Sequence, residues 1–150
     1  MKLDLHELVI ENLDWDDTIP DKFRPIWENY FQMMGEIKKL KFKRAVIPEN
    51  AIDTNVETLD FGDASKDIAC IAIYARFKLT DGKYSSQLIF SRSRLIPNNI
   101  TQPRAELYAA LINTHTGEVV KRAFGVKHKD AIKFTDSQIV LHWISNENRP

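Results

Sequence analysis

Two segments far apart in this chain share one pattern, and that pattern constrains the fold more than any other feature of the sequence. In Leu59–Asp60–Phe61–Gly62–Asp63–Ala64–Ser65, apolar side chains alternate and Asp63 takes the next position on their face. Ile132–Lys133–Phe134–Thr135–Asp136–Ser137 repeats it, with Ile132, Phe134 and Asp136 on one face and a serine again after the acid. Each segment reads as a strand that ends in an acid and then turns, which sets a carboxylate on a rigid base. Parallel neighbours of this kind lie about 4.8 Å apart. Two carboxylates at that spacing can hold a divalent cation jointly. The expectation is a buried strand delivering Asp63 beside a parallel strand delivering Asp136.

The intervening segments supply the rest of such a sheet. Ile68–Phe77 is nearly all apolar, as expected of a strand buried on both faces, and Cys70 within it reads as a small buried residue. Asp81–Gly82 is a strong hairpin signal, after which Tyr84–Arg94 returns as a third strand. Thr101 suits an N-cap and Pro103 a first helical turn, so a long helix is predicted from about Gln102 to Ala123, with Gly117 a weak or breaking point. Ala131–Thr135 is the fourth strand. Ser137–Ser145 is a short helix with Ile139, Val140, Trp143 and Ile144 on its apolar side. Three strands, a helix, a strand and a helix make an α/β domain with a mixed sheet.

Residues 1–50 have a different texture. An acidic stretch, Glu11–Asp17, leads into a helical period of Phe23, Ile26, Trp27, Tyr30, Phe31, Met34 and Ile37. This predicts one amphipathic helix, with Trp15 and Trp27 packed and Pro25 in its first turn. The basic run from Lys38 to Arg44 then suits a solvated helix end. The expected division is therefore 1–50 and 51–150.

Composition excludes several classes. At 150 residues and 43% hydrophobic content, one domain with a real core and a short appendage is expected. Formal net charge is zero, so no global field draws the chain to nucleic acid or membrane. A single cysteine excludes an intrachain disulfide framework and fits a reducing compartment. No run approaches the roughly 20 apolar residues of a membrane span, and the first residues lack the apolar core of a signal peptide. The expected setting is intracellular, cytoplasmic or nuclear, without membrane contact. There is no P-loop, no dinucleotide-binding glycine pattern, no C-x-x-C and no H-E-x-x-H. His142 and the other histidines are scattered, and Ser65 and Ser137 read as turn or cap residues.

Glu106, in the first turns of the long helix, is the third acid of interest. Ala109, Ala110 and Asn113 follow it along its side of the helix and let that side approach a sheet closely. Asp63, Glu106 and Asp136 without a histidine would make an oxygen-only site, suited to Mg²⁺ or Mn²⁺ rather than zinc. Two such ions about 3.5–4 Å apart can activate a water and stabilise a leaving phosphodiester oxygen. Spacing alone leaves open that these are unrelated acids among the 21 in the chain. Basic residues are concentrated in the same half. Lys83, Arg92, Arg94, Arg104, Lys121, Arg122, Lys127, Lys129 and Lys133 face only Glu106, Glu118 and Asp130. A polyanion held there would gain affinity from its phosphates.

Four motifs in order carry a family resemblance: Phe61–Gly62–Asp63–Ala64–Ser65, Ser91–Arg92–Ser93–Arg94–Leu95–Ile96–Pro97, Gln102–Pro103–Arg104–Ala105–Glu106–Leu107, and Phe134–Thr135–Asp136–Ser137 with the helix through Ile144. They resemble the ribonuclease H domain of BEL/Pao-type retrotransposon polyproteins. Leu13–Asp17 and the helix after it look like the connection segment that precedes that domain. The resemblance implies a ribonuclease H-like α/β fold with a mixed sheet in the order βββαβα. It implies cutting of the RNA strand of an RNA–DNA hybrid with two Mg²⁺ ions. Asp63, Glu106 and Asp136 match the acidic triad, and Arg92, Arg94 and Arg104 are the expected nucleic-acid contacts. The order Asp–Glu–Asp differs from the Asp–Asp–Glu of integrases and favours ribonuclease H. Domains of this kind continue with a fifth strand and a further helix, whereas this sequence stops at Asn148–Arg149–Pro150. The expectation is a truncated domain whose exposed sheet edge a protein partner would cover. Two readings follow: an active Mg²⁺-dependent endoribonuclease, or an inactive retroelement remnant that binds nucleic acid or protein.

Overall fold

The structure, a computed structural model, describes residues 2–52, 56–125 and 131–146. The chain forms two compact units, Met1–Arg44 and Ala45–Pro150. Unit one contains helix α1 (Lys2–Ile10), a 3-10 turn (Asp21–Phe23) and helix α2 (Arg24–Ile37). Pro25 falls in the first turn of α2, where its missing N–H costs nothing. The Tyr30 hydroxyl donates to Asp4 Oδ2 at 2.8 Å and ties α2 to α1. Apolar periodicity gives no hint of α1, because its apolar residues do not gather on one side. Phe23 is buried, but α2 itself buries no residue, and Phe31 and Ile37 are exposed. Trp27 packs edge-on against Tyr30 at 5.8 Å, whereas Trp15 is fully exposed and does not pack as the sequence predicts.

Unit two is built on β1 (Glu57–Ala64), β2 (Ile68–Lys78), β3 (Tyr84–Leu95), α3 (Gln102–Phe124), β4 (Ala131–Phe134) and α4 (Gln138–Ser145), the predicted βββαβα order. The sheet runs β3-β2-β1-β4. β1 pairs antiparallel with β2 and parallel with β4, and β2 pairs antiparallel with β3. The β2–β3 hairpin turns at Gly82, whose φ of 81° is one that L side chains rarely adopt. The two strands with matching acid patterns are thus parallel neighbours, in register from Thr58↔Ala131 to Phe61↔Phe134.

α3 covers one face of the sheet. Ala64, Ala69, Ile71, Ile96, Ala105, Ala109 and Ile112 form the main core beneath it. Val56, Ala75 and Phe77 form a second cluster, with Val46, Ala51 and Ile89 against it. On β1 the inward side chains are Thr58, Asp60, Gly62 and Ala64, while Leu59 is half-buried and Phe61 and Asp63 are exposed. This inverts the predicted burial, in which the apolar alternation marks the inside. β2 corrects a second expectation, since its residues alternate between buried and more open positions instead of being buried on both faces. Among the described residues of unit two, no helix packs on its other side. Cys70 is therefore exposed, not a core residue.

α3 runs unbroken through Gly117. That glycine is buried, and a Cβ there would lie 2.4 Å from Asp60 Oδ2. A missing side chain here is a condition of close helix–sheet packing, which outweighs the local helix cost. Thr101 precedes α3 as expected, although its side chain makes no capping bond. In α4, Val140 is fully buried, while Ile139, Trp143 and Ile144 remain exposed.

Candidate metal centre

Each acid is held by a different element. Asp63 lies near the end of β1, and the backbone N–H of Ala64 donates to its Oδ1 at 2.7 Å. Glu106 stands in the first turns of α3. One turn earlier, the Gln102 amide donates to Glu106 Oε1 at 2.8 Å and to the Ala64 carbonyl at 2.7 Å. One side chain thus stitches the start of α3 to the end of β1. Asp136 follows β4, in the turn that leads into α4. Ser137 caps that helix, its hydroxyl accepting from Val140 N at 3.3 Å. The cap fixes the backbone right beside the acid.

One carboxylate oxygen from each of Asp63, Glu106 and Asp136 lies within 4.8 Å of the others. Asp63 and Asp136 are exposed and Glu106 is half-buried. Among the described residues, no lysine or arginine forms an ion pair with any of them. Mutual repulsion is on the order of 1 kcal/mol per pair with water-like screening, and several-fold more where water is excluded. Glu106 Oε2 is buried and has no hydrogen-bond partner. An oxygen-only donor set with an orphaned buried acceptor fits a hard divalent cation. Ligands opposite one another around Mg²⁺ are about 4.2 Å apart, so small rotations of the exposed aspartates would close the set on an ion.

The uncovered face of the sheet forms a hollow of about 430 Å³ beside the acids. Phe61 and Phe134 stack across β1 and β4 at 4.7 Å between centroids and 11° between planes. Tyr74 meets Phe61 edge-on at 5.9 Å. Cys70, in register with Asp63, lines the same hollow.

The predicted arginines lie apart from the acids. Arg92 and Arg94 are exposed on β3, in register with Ile71 and Ala69, whose side chains face α3. They therefore belong to the opposite side of the sheet from the Phe61–Asp63 row. Arg104 is exposed on α3. Two other basic residues are engaged internally and do not form the predicted polyanion surface: Lys121 is buried with Glu118, and Lys133 bonds Asp60. Lys127 and Lys129 lie outside the described residues. Sequence reasoning missed the role of Gln102, although a glutamine four residues before a glutamate on one helix is a readable pairing signal.

The family model of the Pao retrotransposon-like RNaseH-like domain matches residues 1–137. The chain belongs to that family. The match spans both units and reaches past Asp136, so all three acids of the cluster fall within this RNaseH-like domain. No match to this chain was found among curated proteins or among solved structures. No helix among the described residues is long and apolar enough to cross a membrane.

Proposed function

We propose that this RNaseH-like domain hydrolyses the RNA strand of RNA–DNA hybrids, with Asp63, Glu106 and Asp136 as ligands to two Mg²⁺ or Mn²⁺ ions. The observation that carries the reading is the convergence of these carboxylates, drawn from β1, α3 and the end of β4, within 4.8 Å. Divalent ions bound there would supply Lewis-acid activation of water and charge stabilisation at the leaving oxygen. The protein's own share is placement. Gln102 orients Glu106 and leaves its second oxygen free to face a cation. The Ala64 N–H holds one oxygen of Asp63, and the Ser137 cap sets the turn that carries Asp136. The open aromatic hollow beside the acids gives a flat surface on which a sugar–base unit can lie. Arg92, Arg94 and Arg104 are exposed and are the proposed phosphate contacts, Arg92 and Arg94 for a strand that passes round the β3 edge to the α3 side of the sheet.

The test is cleavage of an end-labelled RNA–DNA hybrid in Mg²⁺ by the full chain and by Asp63→Asn. Loss of one carboxylate ligand is expected to lower the rate by about 10³-fold or more, since groups that act as a unit fail together. Chelation by EDTA should abolish cleavage, and added Mg²⁺ should restore it. Equal inertness of both proteins would leave a non-catalytic nucleic-acid-binding or protein-interaction module as the surviving reading. Binding of uncleaved hybrid would then distinguish those two roles.

A further inference from the structure

Beneath α3, away from the hollow, one carboxylate touches every element that carries an acid of the cluster. Asp60 lies on β1 and is fully buried. Its Oδ2 accepts from Lys133 Nζ of β4 at 3.3 Å, and the two residues are direct partners in the β1–β4 register. The same oxygen sits against Gly117 of α3, and its backbone carbonyl accepts from Asn113 Nδ2 of that helix at 3.1 Å. Asp63, Asp136 and Glu106 stand on or just beyond these same three elements.

We infer that Asp60 and Lys133 are positioning residues: their ion pair, buried at Asp60 and partly open at Lys133, fixes the register of β4 on β1, and so the place of Asp136 beside Asp63. Apolar contact adds to that register only through the stack of Phe134 on Phe61 at the open face. β4 has four residues, and Ile132, Lys133 and Phe134 are all exposed. A one-residue slip would turn Lys133 to the other face and strand the Asp60 carboxylate without its partner. A two-residue slip keeps the face but moves Asp136 along the strand by about 6.6 Å, beyond the span of a shared cation. Gly117 and Asn113 act on the same residue from above and set the height of α3, and with it Glu106. The part of the inference that concerns cation binding rests on the proposed metal centre; the register lock does not.

The experiment uses the full, metal-free chain and three variants: Lys133→Met, Lys133→Arg, and the double variant Asp60→Asn with Lys133→Met. The double variant leaves no uncompensated buried charge, so it reports even if Lys133→Met alone fails to fold. Backbone hydrogen exchange is followed by NMR, with β2–β3 amides as the internal reference. In Lys133→Met and the double variant, β4 amides should exchange at least about tenfold faster against that reference, and Lys133→Arg should stay within about twofold of the unaltered chain. Mn²⁺ affinity, read by calorimetry without substrate, should fall by about 10- to 100-fold in the loosened variants and recover with arginine. Unchanged β4 protection in the variants that fold overturns the inference. So does a loss of Mn²⁺ affinity without loosening, or loosening without loss in a chain that binds Mn²⁺. If the unaltered chain binds no Mn²⁺ and cuts no hybrid while β4 still loosens, the register lock stands and the nuclease reading falls.

Discussion

On β1 and β4 the two faces of the sheet divide the residue types in an unusual way. The face under α3 holds Thr58, Asp60 and Gly62, together with the Lys133 ammonium, Asn113 and Gly117. The uncovered face presents Leu59, Phe61, Tyr74, Leu88 and Phe134. On β1 and β4 polar and small groups are inside and aromatic ones outside, whereas β2 sends Ile71, Ile73, Ala75 and Phe77 into buried positions. Above β2 the helix covers an apolar core, and above β1 closeness of approach adds to it. A helix with Ala109, Asn113 and Gly117 along its inner side can come near enough to bond the β1 backbone at the Asp60 carbonyl. The uncovered aromatics are then left to line the hollow beside the acids. On the two acid-bearing strands, the aromatic side is the one left uncovered.

The largest effect should come from removing the cation that partners the buried Asp60. Lys133→Met leaves the buried Asp60 carboxylate without its cation, and urea unfolding should show a loss of about 2–4 kcal/mol, below that of a fully buried pair because Lys133 is partly open to water. A loss no larger than that of an ordinary surface substitution would break the contrast between the faces. Gly117→Ala should be next, at about 1–3 kcal/mol, because its methyl group meets Asp60 Oδ2 and the helix must lift. Raising α3 should also weaken cation binding, since Glu106 rides on it. On the uncovered face, Phe134→Ala removes the stacked partner of Phe61 and should cost about 1 kcal/mol. Leu88→Ser on the same face should stay within about 0.5 kcal/mol. If these two proved as costly as the first pair, the aromatic face would be a covered core and not a docking surface.

The smallest effect lies outside the sheet, in unit one. The hydrogen bond to Asp4, aided by burial, holds the Tyr30 hydroxyl above its ordinary value of 10.0. A group whose folded value is raised contributes stability that is present below the unfolded value and lost as pH rises through the folded one. The unaltered chain should therefore lose a little stability above pH 10, and Tyr30→Phe should remove that alkaline slope. Circular dichroism melts across that range would show it.

Element bounds were highly legible in the sequence. The alternation and turn residues predict Ile68–Phe77, Tyr84–Arg94 and a helix over 102–123, against observed Ile68–Lys78, Tyr84–Leu95 and Gln102–Phe124. The acids were legible for a local reason. Asp63 and Asp136 each extend an apolar alternation by one step, and parallel pairing of β1 with β4 then brings those strand ends together. What periodicity could not show was which face is inside, because alternation gives two faces without saying where a helix will land. Asp60 and Lys133 read as the outward residues of their strands, yet Asp60 is fully buried and Lys133 bonds it on the side under α3. Cys70 differs from its expectation because apolar neighbours in sequence do not create a cover in space, and Trp15, set among the acids of Glu11–Asp17, stays fully exposed. Gly117, which alone suggests a break, is explained only by the carboxylate packed against it.

The exposed thiol of Cys70 gives this molecule a built-in reporter. It is the chain's single cysteine and stands one strand across from Asp63, so a nitroxide or fluorophore can be attached there without any engineering. A label at that spot would feel paramagnetic Mn²⁺ arriving nearby through quenching or line broadening, and a duplex settling over the aromatics would restrict its tumbling. Loading of ion and of nucleic acid could then be timed separately, on a single attached dye.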